Sequence, residues 1–244
     1  MKYFLILLLS TTSLLTSAQI ITNTNPSEVK KEIVTEKEIK IKTGTEIYVG
    51  VSPSYTFRTL EINEGLFGKP LGHRNEEVGE WTTGFNVGVR TKVTDFLKLE
   101  IGVGYSGNKE SFDFTSNDSV FKYSNTYRHI DFPMRIAYSY GNEISFYGAL
   151  GVIPKAFISM KDETTTLDIN GNEQTIKTIE KDNFNFFLID AVATIGTQVK
   201  FSENYGMYAM LEGRRQLTNN YNSQSAYIRK AFAIGFNVGI EIYF

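Results

Sequence analysis

Charged residues recur along one side of a repeating apolar pattern, and their spacing limits the chemistry open to this 244-residue chain. Glu212 and Arg214 stand two residues apart in an alternating segment, so a strand would carry both on one face. Glu46, Arg90, Lys98, Glu100, Asp131, Arg135, Asp190, Lys200 and Glu241 hold equivalent places in other segments, with opposite signs on neighbouring ones. Such a face could line a gate or ion pathway. It could equally form a buried ion-pair network that fixes strand register and fills an interior. Unpaired charges in an interior are very costly, and mutual pairing removes that cost. The expectation is therefore a network of Glu46, Arg90, Glu100, Asp131, Arg135, Asp190, Glu212, Arg214 and Glu241.

Other candidates for chemistry are weaker. His73 and His129 are the only histidines. A lipid hydrolase would need a histidine beside a serine nucleophile and an acid. His129 has only Ser119 and Ser124 loosely nearby and no nucleophile-elbow pattern, so a hydrogen-bonded rim histidine is expected. Asp168-Ile169-Asn170-Gly171-Asn172-Glu173 looks briefly like a calcium loop. Its glycine falls at the fourth position rather than the sixth, and Ile179 stands where a bidentate Glu should be. The flanks 164–167 and 175–179 instead predict a β-hairpin turning at Asn170-Gly171. Gly102 and Gly104 fall inside a strand rather than before a helix, so they make room and do not cradle phosphate. No catalytic residue, metal site or cofactor is expected.

The elements that must position these residues are long strands. From Phe232 to Phe244 every even position is large and apolar, and every odd one except Tyr243 is small or polar. That period of two defines a strand with one apolar face, long enough to cross a bilayer. Further alternating runs lie near 45–58, 80–93, 97–112, 127–140, 143–158, 184–201 and 205–218, which makes eight with the last, extended back to about Tyr227. Tight turns fall at 94–96, 141–142 and 202–204, while 59–79, 113–126, 159–183 and 219–226 are longer and polar. Short turns on one rim and long loops on the other suit an outer-membrane barrel, with both termini on the short-turn side.

Alternation alone does not say which face points outward, because a soluble lipocalin-like barrel alternates as well. The polar face is glycine-rich and carries mutually opposed charges, which suits a narrow eight-stranded lumen. Aromatics gather at strand ends, with Tyr55, Phe57, Trp81, Phe187 and Phe232 toward one rim and Tyr138, Phe201, Tyr205 and Phe244 toward the other. The predicted fold is thus all-β, an eight-stranded antiparallel up-and-down transmembrane β-barrel over 44–244.

The first eighteen residues read as a signal peptide, with Lys2, an apolar core and Thr16-Ser17-Ala18 before Gln19. Residues 19–43 read as a polar periplasmic lead-in. Removing Lys2 from 25 Lys+Arg leaves 24 against 27 Asp+Glu, a net charge of −3 with no basic surplus for nucleic acid. The absence of cysteine excludes disulfides, thiolate metal sites and an acylated N-terminal cysteine.

Asp131-Phe132-Pro133-Met134-Arg135, Asp190 with Gly196, and Leu211-Glu212-Gly213-Arg214 followed by Leu217-Thr218-Asn219 resemble the outer-membrane β-barrel domain family. That family includes PorT-like proteins, small relatives of OmpA-type barrels. The resemblance implies the fold and a terminal Phe244 presented to the barrel-assembly machinery, and it implies no catalytic activity. The functional expectation is a non-enzymatic protein of the bacterial outer membrane, with a structural, adhesion or assembly role. Its partners would be outer-membrane lipid, the assembly machinery and an extracellular ligand met through 59–79 and 159–183. A hydrophobic-ligand binder or narrow pore is the alternative, and a lipid-modifying enzyme comes third.

Overall fold

The computed structural model describes residues 44–63, 71–116, 119–168 and 170–244. The expected signal peptide and lead-in lie outside these. Strands are β1 Thr45–Ile62, β2 Val78–Lys92, β3 Leu97–Ser116, β4 Ser119–Asp131 and β5 Met134–Gly141. They continue with β6 Ile144–Leu167, β7 Glu173–Glu180, β8 Phe187–Lys200, β9 Tyr205–Gln216 and β10 Tyr227–Tyr243. All pairings are antiparallel, and β1 closes the sheet by pairing with both β10 and β2, while β2 pairs β3.

The ring has eight staves although ten strands are described. β4 and β5 form one stave, since each lies between β3 and β6. Pro133 splits it because proline has no N–H for the ladder. Its carbonyl still accepts the Gly102 N–H at 3.0 Å, and the Phe132 N–H reaches Pro154 O at 2.8 Å, so the wall stays closed. β7 pairs only with β6 and stands outside the ring.

One loop expectation needs correction. The polar loop expected over 113–126 is largely strand, because β3 runs to Ser116 and β4 starts at Ser119. Phe112 faces Tyr123 and Phe114 faces Phe121 in that ladder, and cross-strand aromatic pairs support a hairpin beyond the membrane. The stretch 159–183 holds the end of β6 and all of β7, paired as the hairpin expected within it. Their turn falls where the sequence placed it: Asp168 Oδ1 accepts the Asn170 and Asn172 N–H groups at 2.8 Å, and Gly171 takes φ +80°. Those backbone bonds, Asn172 first, hold the Asp168 carboxyl below its usual pKa.

The apolar face is the outer one. Phe236, Ile136 and Leu150 are 54, 64 and 69% exposed, whereas Arg90, Glu100 and Glu241 are wholly buried inside. Above the apolar band Tyr55 meets Trp81 at 5.9 Å and Phe57 stacks on Phe232 at 5.3 Å. At the opposite rim Phe96 stacks on Tyr138 at 6.1 Å, with Phe201, Tyr205 and Phe244 exposed. Phe232 on β10 and Phe244, one residue past its end, mark the two rims. Their separation along it is about 40 Å, or about 30 Å once the strand tilts by ~40°, which matches a bilayer core.

Inside, tyrosine rings lie over glycines of nearby staves. A Cβ on Gly88 would run into the Tyr48 hydroxyl of the adjacent β1, and one on Gly50 into the Tyr208 hydroxyl of β9, two staves away. Gly88→Val should therefore block closure of β1 on β2. The readout is the folded band on unboiled SDS gels, which the native barrel should give and the variant should lose. A variant still fully heat-modifiable would contradict this packing.

Candidate functional site

Strand register builds the interior charges into a row. Glu46 is opposite Arg90, Arg90 opposite Glu100, and Glu100 opposite Arg135 across β1, β2, β3 and β5. Neighbouring staves thus alternate in sign at one level of the barrel. Arg90 binds Glu100 at 2.6 Å, pairs with Glu241 and lies 3.7 Å from Glu46. The rings of Tyr48, Tyr147 and Tyr208 surround its guanidinium at 4.3, 5.0 and 4.9 Å. Lys98 reaches Glu46 at 3.0 Å, and the Gln198 amide donates to Glu241 at 2.7 Å.

The row continues across the lumen. Arg135 bridges Glu100 at 2.8 Å and Glu212 at 2.5 Å. Arg214 bridges Glu212 at 2.5 Å and Asp131 at 2.7 Å. The result is a continuous chain, Arg90–Glu100–Arg135–Glu212–Arg214–Asp131, from wall to wall. Asp190 sits apart from it, bound to Lys155 at 2.7 Å. All nine sequence candidates therefore point inward and carry an ion pair. Lys200 does not join them; it lies over the Tyr243 ring at 4.8 Å.

A second cluster, which the sequence reading missed, lies above the aromatic rim. Arg229 meets Glu110 at 2.8 Å and stacks over Tyr127 at 3.8 Å. Arg58 pairs with Glu77 and reaches Glu110 at 3.0 Å, while Arg74 reaches Glu77 at 3.5 Å. The Tyr123 hydroxyl donates to Glu77 at 2.7 Å, and burial together with that carboxylate pushes its pKa up. These residues fall where the sequence reading placed loops or strand ends. The available signal was that Glu110 and Arg229 extend the inward alternation of their strands. On the hairpin beyond, hydrogen bonds from Lys161 and Lys177 hold the Glu163 carboxyl below its ordinary pKa.

His129 is not the hydrogen-bonded rim residue expected. It is wholly buried, edge-on to Phe157 at 5.9 Å, and neither ring nitrogen has a partner among the described residues. The reason is that β4 continues ten residues above it, to Ser119. Ser124 lies five residues along the same strand, about 16 Å away, so these two groups do not make a catalytic pair.

Above the upper cluster the lumen opens into a cleft of about 760 Å³. Phe121, Tyr123, Phe184 and Tyr221 form much of its wall, with Asn125, Asp162 and Glu180 beside them. The mid-barrel cavity below is about 20 Å³, room for little more than one water molecule. Among the described residues no group of three or more acidic or histidine side chains is placed to hold a metal ion.

A closed eight-stave ring, apolar outside and ionic inside, defines a transmembrane β-barrel. The chain is similar in fold to OprG of Pseudomonas aeruginosa, with 11% identity over 83% of this chain and 97% of that one (TM-score 0.46). It is similar to Neisserial surface protein A at 9% identity over 81% and 97% (TM-score 0.38). It is also similar to the outer membrane protease OmpT from Escherichia coli, at 10% identity over 84% and 98% (TM-score 0.42). No family model matches the sequence, and comparison with curated proteins finds no match.

Arg90→Leu should leave Glu241 buried without its cation and Glu100 with Arg135 alone, at a cost of about 3–5 kcal/mol. Urea unfolding of the barrel in lipid vesicles measures this. A loss below about 1 kcal/mol, the range of an exposed pair, would mean that the row is not the barrel's internal brace.

Proposed function

We propose that this chain is a non-enzymatic, non-conducting barrel of a bacterial outer membrane, whose working surface is its external end. The observation that carries the reading is the unbroken ion-pair chain spanning the lumen from Arg90 to Asp131. A conducting pore needs an open aqueous path, and eight staves enclose only enough space for side chains. Here charged and tyrosine side chains fill it.

Orientation follows from the rims. Thr45 and Phe244 meet where the Phe244 N–H reaches Thr45 O at 3.1 Å, on the same rim as the short turns. That rim faces the periplasm in the usual arrangement, so the long β3–β4 and β6–β7 hairpins face outward. Phe244 is 65% exposed at the edge of the apolar band, which is compatible with its proposed reading by the assembly machinery. The proposed affiliation with PorT-like proteins rests on the sequence resemblance of 131–135, of Asp190 with Gly196, and of 211–214 followed by 217–219. Asp131 and Arg135 both join the ion-pair chain, and Pro133 divides the stave.

The setting of His129 supports the non-enzymatic reading over a lipid hydrolase. A structural or adhesive role uses the external hairpins, and the cleft among them favours ligand binding at that end. The test is planar-bilayer recording of the purified barrel, with inactivity toward peptide and phospholipid substrates as a companion assay. We expect no steady unitary conductance and no turnover. Stable ohmic channels in the wild-type protein, or turnover abolished by His129→Ala, would overturn the proposal.

A further inference from the structure

The external cleft has a chemical bias of its own. β4 and β6 pair so that Asn125 is directly opposite Asp162, and Tyr123 is opposite Thr164. β6 and β7 pair so that Met160 is opposite Glu180. This register gathers two carboxylates and an amide on one wall of the cleft, among the rings of Phe121, Tyr123 and Phe184.

Asn125 is 94% buried by its 6% exposure, lines the cleft, and its Oδ1 has no hydrogen-bond partner among the described residues. Neither Asp162 nor Glu180 is in an ion pair among those residues; Asp162 accepts only the Thr164 hydroxyl at 2.8 Å. The lining cation Arg74 is already engaged, donating to the Tyr221 hydroxyl at 2.8 Å and facing Glu77. The cleft therefore offers acceptors and negative charge beside aromatic faces. That combination favours a ligand carrying positive N–H donors on an alkyl stem, through charge-assisted hydrogen bonds and cation–π contact. An anionic ligand would meet repulsion, and an apolar one would leave Asn125 and both carboxylates desolvated and unpaired.

Resting on the reading of the external end as the working surface, we propose that this cleft binds alkylammonium groups, with Asp162, Glu180 and Asn125 as acceptors and Phe121 as an aromatic wall. The source is either a free polyamine or the lysine side chains of a protein.

Calorimetric titration of the intact barrel in phosphatidylcholine nanodiscs tests this, since a zwitterionic bilayer does not itself attract amines. The probes are spermidine, tetralysine, its side-chain-acetylated form, and maltotriose. Spermidine or tetralysine should bind, with affinity falling at least tenfold in Asp162→Asn/Glu180→Gln and severalfold in Phe121→Leu. Acetylation should abolish tetralysine binding. Glu203→Gln, in a turn at the opposite rim, serves as control and should leave it unchanged. Tighter binding of spermidine identifies a free amine, and tighter binding of tetralysine a protein ligand. Equal affinity in the double variant, silence of both amines at millimolar concentration, or binding of maltotriose alone would overturn the proposal. Maltotriose binding would still leave the external end as a binding surface. Conductance in the bilayer assay, by contrast, would remove the sealed-lumen reading and leave an acid-dependent amine site intact.

Discussion

Everything in this barrel depends on keeping charge out of lipid while leaving none unpaired inside. Among the described residues the interior pairs comprise eight acids, namely Glu46, Glu77, Glu100, Glu110, Asp131, Asp190, Glu212 and Glu241. Eight bases oppose them, namely Arg58, Arg74, Arg90, Lys98, Arg135, Lys155, Arg214 and Arg229. The balance is an energetic requirement more than a source of stability. A buried pair roughly offsets its own desolvation, whereas a buried charge deprived of its partner costs several kcal/mol. The ion pairs therefore do most as specification.

That specification acts on register. Side chains alternate with a period of two, so a slip of one residue sends every inward group outward. A slip of β2 would turn Arg90 outward onto the lipid face, where an arginine is penalised. It would also orphan Glu241, take one of two cations from Glu100 and bring Gly88 away from the Tyr48 ring that covers it. Packing and charge thus reject the same error from two directions. The glycines opposite Tyr48 and Tyr208 leave room for these large rings inside a narrow bore.

This constraint also explains how much was legible in the sequence. Within the bilayer, one face must be apolar and the other must not, so Phe232 to Phe244 reads as a strand with its inner face fixed. The row Glu46, Arg90, Glu100, Arg135 could be recognised because lipid forbids charge on the other side. Above the aromatic rim both faces are wet and the contrast fades. The parts of β3 beyond 112, of β4 before 127 and of β6 beyond 158 were consequently read as loops, although Asn125 and Met160 are buried there. His129 was misplaced for the same reason: its strand was taken to begin at 127 when it begins at Ser119. The split at Pro133 was visible as a residue, yet its effect on the ladder depends on which neighbours surround it.

The fading of the contrast marks where selection is free to do something other than hold the barrel together. Inside the membrane nearly every inward charge has an opposite partner, and the mid-barrel void of about 20 Å³ leaves no room for a guest. Beyond the rim the staves continue as hairpins no longer required to exclude lipid, and the lumen widens to a cleft of about 760 Å³. Asp162 and Glu180 stand there outside any described ion pair, in a molecule that elsewhere matches its interior charges one for one. Because solvent tolerates exposed carboxylates, they cost the fold little and are free to be used for recognition. The braced lumen and the permissive cleft are two consequences of one boundary, the outer edge of the bilayer.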